Sequence, residues 1–256
     1  MSYNIAVAGK GGTGKTSLTG ILIDYLAKEK KGDTLVVDAD ANSNINDVLG
    51  MDISGTIGQI KEKANQIEKS NAQIPSGMTK AQYLEYELNC IVEEGDGYDL
   101  LVMGRSDGEG CYCFVNSILK KQIHLMSNHY DYIVVDNEAG MEHLRRKVVR
   151  NIDELLLISD CSARSIEAVA RIRDLAKELK LSVGDIHLIV NKVPNGILND
   201  GIKEEIAKHN LDLIGVVPMD EMIYEYDSSG RPLVNLPEDS KSKIAINEII
   251  DKLELK

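Results

Sequence analysis

Gly9-Lys10-Gly11-Gly12-Thr13-Gly14-Lys15-Thr16 stands directly behind the apolar run Tyr3-Asn4-Ile5-Ala6-Val7-Ala8. The spacing G-x-x-x-x-G-K-[ST] is that of a phosphate-binding loop. Its glycines let bare backbone N–H groups ring an anion, Lys15 reaches the β- and γ-phosphates, and the Thr16 hydroxyl reaches Mg²⁺. The motif has this meaning only between a strand and a helix. Both are present, because the run before it reads as a strand and the stretch from Leu18 to Ala27 is amphipathic. The sequence therefore predicts nucleotide binding by Gly9 to Thr16, with Ser17 beside them.

The same rhythm continues along the chain. Short apolar runs at Ile5–Ala8, Thr34–Val37, Leu100–Met103, Tyr132–Val135, Leu155–Ile158, Ile186–Val190 and Ile214–Val217 read as strands. Several are continuously apolar, as strands buried on both faces should be. Helical patterns at Lys15–Lys30, Ser117–Met126, His143–Asn151, Ser165–Leu179 and Ile202–Lys208 fall between them, and another ends the chain at about Lys241–Leu255. Alternation of this kind predicts an α/β fold with a doubly wound, mostly parallel sheet flanked by helices, which places ligands at the C-terminal ends of its strands. Residues 52–97 break the rhythm. They are polar, with helical stretches at Thr56–Lys69 and Thr79–Glu93, and read as an insertion beside the site within a single domain of residues 1–256.

Composition narrows the function classes. Lys+Arg 29 against Asp+Glu 41 gives a net charge of −12, which argues against wrapping nucleic acid or resting on anionic lipid. No run approaches a membrane span, and Met1-Ser2-Tyr3-Asn4 leads into a strand rather than a signal peptide, so the chain reads as cytoplasmic. Four cysteines in that setting point to thiol or metal chemistry more than to a disulfide framework.

Two strand ends carry acids: Asp38-Ala39-Asp40 and Asp136-Asn137-Glu138-Ala139-Gly140. Mg²⁺ wants oxygen ligands and keeps several waters. Thr16 is expected to bind it directly, with Asp38 and Asp136 acting through water; helix capping is the competing account of these acids. Asn191-Lys192-Val193-Pro194 looks like the N-K-x-D element of GTPases, with Pro194 where the guanine-pairing carboxylate would stand. Asn191 can still bond an adenine edge, Lys192 follows it, and Val217-Pro218-Met219 could border the ring, so ATP is favoured over GTP. Cys111 and Cys113, one residue apart, make half of a four-sulfur site that a two-fold axis would complete. Two small buried residues are the alternative reading.

With its extra Lys10, the loop resembles the deviant phosphate loop of the ParA/MinD/nitrogenase-iron-protein ATPases. That resemblance implies a homodimer in which Lys10 crosses the interface to the partner's ATP. It also implies that Asp40 orients or deprotonates the attacking water and that Gly140 is a hinge sensing the γ-phosphate. Lys10, Lys15 and Asp40 are thus the catalytic candidates. Taken with Cys111-Tyr112-Cys113 and Asp136 through Leu144, the order of motifs is similar to that of the CooC-type nickel-insertion ATPases, which mature carbon monoxide dehydrogenase, and of the factor for acetyl-CoA synthase. That likeness implies that the cysteine pairs of two chains hold Ni²⁺ or Zn²⁺, that ATP and ADP drive closing and reopening, and that the partner is a nickel-containing client enzyme. His143 and Arg145-Arg146-Lys147 read as a surface helix, although a transient ligand and a client-facing patch are their alternatives. An iron–sulfur electron-transfer reductase and a ParA/MinD-type positioning ATPase compete. The first lacks a cysteine between Asn137 and Leu144, and the second lacks a basic patch or membrane-targeting tail.

Overall fold

A computed structural model describes residues 2–40, 44–70, 74, 77–104, 124–137, 151–179, 181–253 and 255. Among the described residues, eight strands form one sheet: β1 (Tyr3–Gly9), β2 (Thr34–Asp38), β3 (Glu93–Glu94), β4 (Tyr98–Val102), β5 (Tyr132–Asp136), β6 (Asn151–Ser159), β7 (Ser182–Val193) and β8 (Leu213–Pro218). They lie in the order β3-β4-β2-β5-β1-β6-β7-β8. Every neighbouring pair is parallel except β3 and β4. The α/β, doubly wound architecture expected from the alternation is the one observed.

The central strands carry mainly apolar runs because both faces are covered. Ile5, Val7, Val36, Val134, Leu156 and Ile158 pack into one layer with helix α1 (Lys15–Tyr25), helix α2 (Ile45–Leu49) and helix α8 (Lys241–Lys252). Their neighbours along the strands point the other way. Ala6, Ala8, Leu155 and Leu157 meet helix α5 (Ala163–Glu178) and helix α6 (Asp200–Lys208). Leu35, Val37, Ile133 and Val135 meet helix α3 (Ile57–Ser70) and helix α4 (Lys80–Cys90). Helix α7 (Glu221–Ser228) follows β8 and has no buried residue.

Residues 52–97, read from sequence as an insertion beside the site, thus supply a helical cover for the β4-β2-β5 half of the sheet. Ile57, Ile60, Leu84 and Leu88 are each at most 2% exposed there. Each such side chain contributes roughly 2 kcal/mol of burial. The expected helix Thr79–Glu93 starts on the Thr79–Gln82 capping box, but it stops at Cys90, and Glu93–Glu94 pairs with β4 instead. Asn151 opens β6 rather than closing a helix. The expected helix Lys15–Lys30 ends in a π-helical turn at Leu26–Lys30. Of the expected helix Ser117–Met126, residues 124–126 are described and helical. The remainder, and residues 143–150, lie outside the described residues.

Candidate functional site

Parallel pairing brings seven strand ends to one edge. Val7 of β1 is level with Asp136 of β5, and Asp38 of β2 is level with the same residue. Gly9 lies beside Ile158, Ser159 beside Val190, and Val193 beside Pro218. The loop Gly9–Thr16 therefore emerges between two acids on one side and Asn191 and Pro218 on the other.

The loop is shaped by backbone demands. Gly12 and Gly14 have φ of 81° and 85°, a region that penalises side chains. A Cβ on Gly9 would lie 2.2 Å from the Ile158 carbonyl oxygen. Gly9→Ala must push β1 away from β6, so its thermal midpoint is expected to fall by a margin worth about 3 kcal/mol. A melt within a degree or so of the wild type would contradict this close approach.

Helices α4, α5, α6, α7 and α8 each begin on a side-chain cap: Thr79, Ser162, Asn199, Asp220 and Ser240. Helix α1 begins on Gly14, with no side-chain cap. Its first N–H groups are thereby left for an anion, which the helix dipole also favours. Within the loop, the Thr13 hydroxyl donates to the Lys10 carbonyl at 2.9 Å and the Lys15 ammonium reaches the same oxygen at 3.3 Å. Thr13 is fully buried, Lys15 is 8% exposed, and Lys10, Gly11 and Gly12 are exposed. Thr16 and Ser17 border a cavity of about 610 Å³ whose far wall includes Asn44, Asn46 and Arg231.

Asp136 is 2% exposed and Asp38 is 1% exposed. Burial raises Asp136 from 3.8 to about 7; the Thr16 hydroxyl, which donates to it, and the Lys15 charge oppose the rise, and the Asp38 and Asp40 charges add to it. Asp38 rises to about 6, again chiefly by burial, against backbone N–H bonds from Asp40 and Ile45. Those bonds measure 2.9 Å and 3.4 Å, so Asp38 also anchors the segment carrying Asp40. Two buried carboxylates beside a threonine hydroxyl are the oxygen donor set that a hard divalent cation takes. Thr16, Asp38 and Asp136 therefore fit Mg²⁺ by their chemistry.

Asn191 and Lys192 contact the loop itself. The Asn191 amide donates to the Thr13 carbonyl at 2.9 Å while its oxygen accepts from the Lys192 N–H at 2.8 Å. The Lys192 ammonium donates to the Gly12 carbonyl at 2.9 Å. Val217 is 1% exposed and packed in the core, whereas Met219 is 61% exposed at the rim. The Met219 N–H donates to the Val193 carbonyl at 3.0 Å, joining the two rim loops. Residues the motif reading passed over also serve the site. Thr19, fully buried one turn beyond Lys15, donates to the Lys15 carbonyl at 2.9 Å and lies 3.5 Å from Asp136. Asn137 ties the end of β5 to β1 through the Val7 carbonyl at 3.0 Å. Thr19 is a polar residue in an otherwise apolar helix stretch, and that signal was available in the sequence.

Cys111, Cys113, Gly140, His143 and Arg145-Arg146-Lys147 lie outside the described residues. Among the described residues no group of three or more His, Cys, Asp or Glu side chains is placed to hold a metal ion. No described helix is long and apolar enough to cross a membrane.

Comparison with known proteins agrees with this geometry. The model of the CobQ/CobB/MinD/ParA nucleotide binding domain matches residues 5–233. An uncharacterized ATP-binding protein of Methanocaldococcus jannaschii is 42% identical over 251 residues, covering 97% of each chain. The carbon monoxide dehydrogenase accessory protein CooC of Rhodospirillum rubrum is 27% identical over 88% of this chain and 87% of its own. Among solved structures, the septum site-determining protein MinD of Pyrococcus horikoshii, complexed with Mg-ADP, superposes with a TM-score of 0.72 at 21% identity, covering 99% of this chain and 96% of that one.

Proposed function

The chain belongs to the CobQ/CobB/MinD/ParA family of nucleotide-binding domains and is an ATP-binding P-loop ATPase, and from that premise we propose that it is a nickel-handling metallochaperone. Its cargo in this reading is Ni²⁺, with Zn²⁺ as a competing ion, held between two copies by Cys111 and Cys113 of each. Its client is carbon monoxide dehydrogenase or acetyl-CoA synthase, and its place of work is the cytoplasm. The observation that carries the reading is this thiol pair in a chain 27% identical to the CooC accessory protein along 88% of its length.

The residues divide the labour as phosphoryl transfer requires, mainly by positioning and charge. Loop amides and Lys15 hold the phosphates. Thr16, Asp38 and Asp136 hold Mg²⁺, which when bound neutralises phosphate charge. Asp40 orients the attacking water. Lys10 brings a further positive charge from the neighbouring subunit. ATP alters nickel affinity in this scheme because open and closed dimers bind the metal with different free energies.

Equilibrium dialysis with Ni²⁺, with and without ADP, tests the reading. About one ion per two chains is expected, lost in Cys111→Ser/Cys113→Ser, because soft thiolates from two symmetric copies complete one site. One ion per single chain, or binding that survives the double substitution, contradicts it. A brown protein with visible charge-transfer absorption would favour the iron–sulfur alternative.

The fold likeness to MinD supports a positioning ATPase as the second reading. Against a role for the last helix on lipid, Ile246, Ile249 and Ile250 of α8 are each 2% exposed and packed in the core. Most of that helix's apolar side chains are therefore already packed, with Ile244 left 46% exposed.

A further inference from the structure

The end of the sheet away from the phosphate loop buries a cluster of charged groups that ATP hydrolysis does not use. Glu154 of β6 is 3% exposed and points to the face that α8 covers, as Leu156 does two residues on. One of its oxygens, Oε1, accepts from the Tyr3 hydroxyl of β1 at 2.8 Å. The other, Oε2, accepts no hydrogen bond among the described residues. It faces His187 Nε2 of β7 across 3.5 Å, and the far ring nitrogen, Nδ1, stands 2.8 Å from Asp212 Oδ2. Asp212 directly precedes β8, and its side chain is 70% exposed.

A carboxylate open to water only accepts, so Nδ1 carries the hydrogen of that bond. A neutral ring then turns the lone pair of Nε2 toward Oε2 of an ionised Glu154, and two acceptors oppose each other. One additional proton resolves the conflict, whether it sits on the carboxyl or on the ring. Burial raises Glu154 from its ordinary 4.5; the Tyr3 hydroxyl and the His187 charge oppose the rise, and the Asp185 and Asp153 charges add to it. Asp153 accepts from the Asn4 N–H of β1 at 2.7 Å, and Asp185 lies level with Glu154 on β7. On α8 the charged groups nearest its C-terminus, Glu248, Asp251 and Lys252, are exposed.

We propose that Glu154 and His187 hold one proton between them, and that this proton latches the starts of β1, β6, β7 and β8 together until alkali removes it. The same four strands carry the phosphate loop and its rim at their other ends, at Gly9, Ile158, Asn191 and Pro218. The latch is independent of nucleotide and of any role in nickel handling. Sharing the proton makes the folded chain bind it where an unfolded carboxyl has released it. The contribution to stability is therefore complete below 4.5 and is lost as pH rises through the value of the folded pair. Glutamine at position 154 offers Nε2 an N–H and keeps an oxygen for Tyr3, so it fastens the strands without titrating.

The experiment compares thermal melts of wild type and Glu154→Gln, without nucleotide, from about pH 5 to about pH 9. Asp38 and Asp136 titrate alike in both proteins and cancel in the difference. The wild type should melt level with the variant in acid and about 3 °C or more below it at the alkaline end. Exchange of the Leu188 amide, which donates to the Asp212 carbonyl at 2.6 Å, should quicken there in the wild type relative to the variant. Nitrogen NMR of the wild-type imidazole, assigned by the signal lost in His187→Gln, should show Nδ1 protonated throughout. A melting difference that does not change with pH overturns the latch. So does a ring protonated on Nε2 alone, which would meet Glu154 with no additional proton, and that spectrum decides the matter even if glutamine unsettles the fold.

Discussion

At about pH 8, without nucleotide or Mg²⁺, Asp136→Asn is expected to melt above the wild type, and with both present to show no measurable ATP turnover. The reason is the cost of a buried charge. Asp136 sits at 2% exposure with a folded value of about 7 against 3.8 in the unfolded chain. Between those values the folded state binds more protons than the unfolded state. Its stabilising contribution is therefore complete below 3.8 and is lost as pH rises through about 7. The loss is on the order of a few kcal/mol. Asp38, raised to about 6, loses stability in the same direction over an overlapping window.

Asparagine keeps an acceptor for the Thr16 hydroxyl and carries no charge to desolvate. The gain should be about 5 °C or more at the alkaline end and should vanish in acid, where the wild-type carboxyl is itself neutral. Melting curves from pH 4 to pH 8 read this directly, with a flat difference between the two proteins as the contrary result. The site thus keeps instability in its empty form that a divalent cation can relieve.

Lys10→Ala is expected to bind ATP as the wild type does while hydrolysing it about a thousand-fold more slowly, the scale of a charge supplied in trans to a phosphoryl group. The loop should keep its shape, because the contacts at position 10 are made to its backbone carbonyl, by Thr13 at 2.9 Å and Lys15 at 3.3 Å. The side chain itself is exposed. A mixing experiment separates a crossing lysine from a local one. Lys10→Ala combined with Asp40→Ala should regain activity, since in a mixed dimer the first chain keeps Asp40 and receives Lys10 from the second. If Lys10 serves its own subunit, every site in the mixture lacks one group and turnover stays at the level of either variant alone.

The fold was legible where burial on both faces wrote continuous apolar runs. Ile5–Ala8, Thr34–Val37 and Leu155–Ile158 all lie within strands at the centre of the sheet. Elements held by few buried side chains were not legible. Helix α2 has five residues, two of them buried, and helix α7 has none buried, so neither prints a periodic signal. The start of β6 was hidden because polar residues occupy it: Asn151 is exposed, and the Asp153 carboxylate accepts from the Asn4 N–H of β1 at 2.7 Å. In the site, the loop and both acids were readable from spacing because their chemistry is local. The bonds from Asn191 and Lys192 to the loop were not, because they join residues about 180 positions apart. The motif gave their names and not their direction.

Strand β3 has a bearing on how two copies can meet. It is only Glu93–Glu94, laid antiparallel on β4 at the margin of the sheet. A margin that ended on the five residues of β4 would offer its open backbone groups as a template for another chain. Two adjacent carboxylates on a stub too short to propagate discourage that stacking, so growth into fibres from this side is blocked.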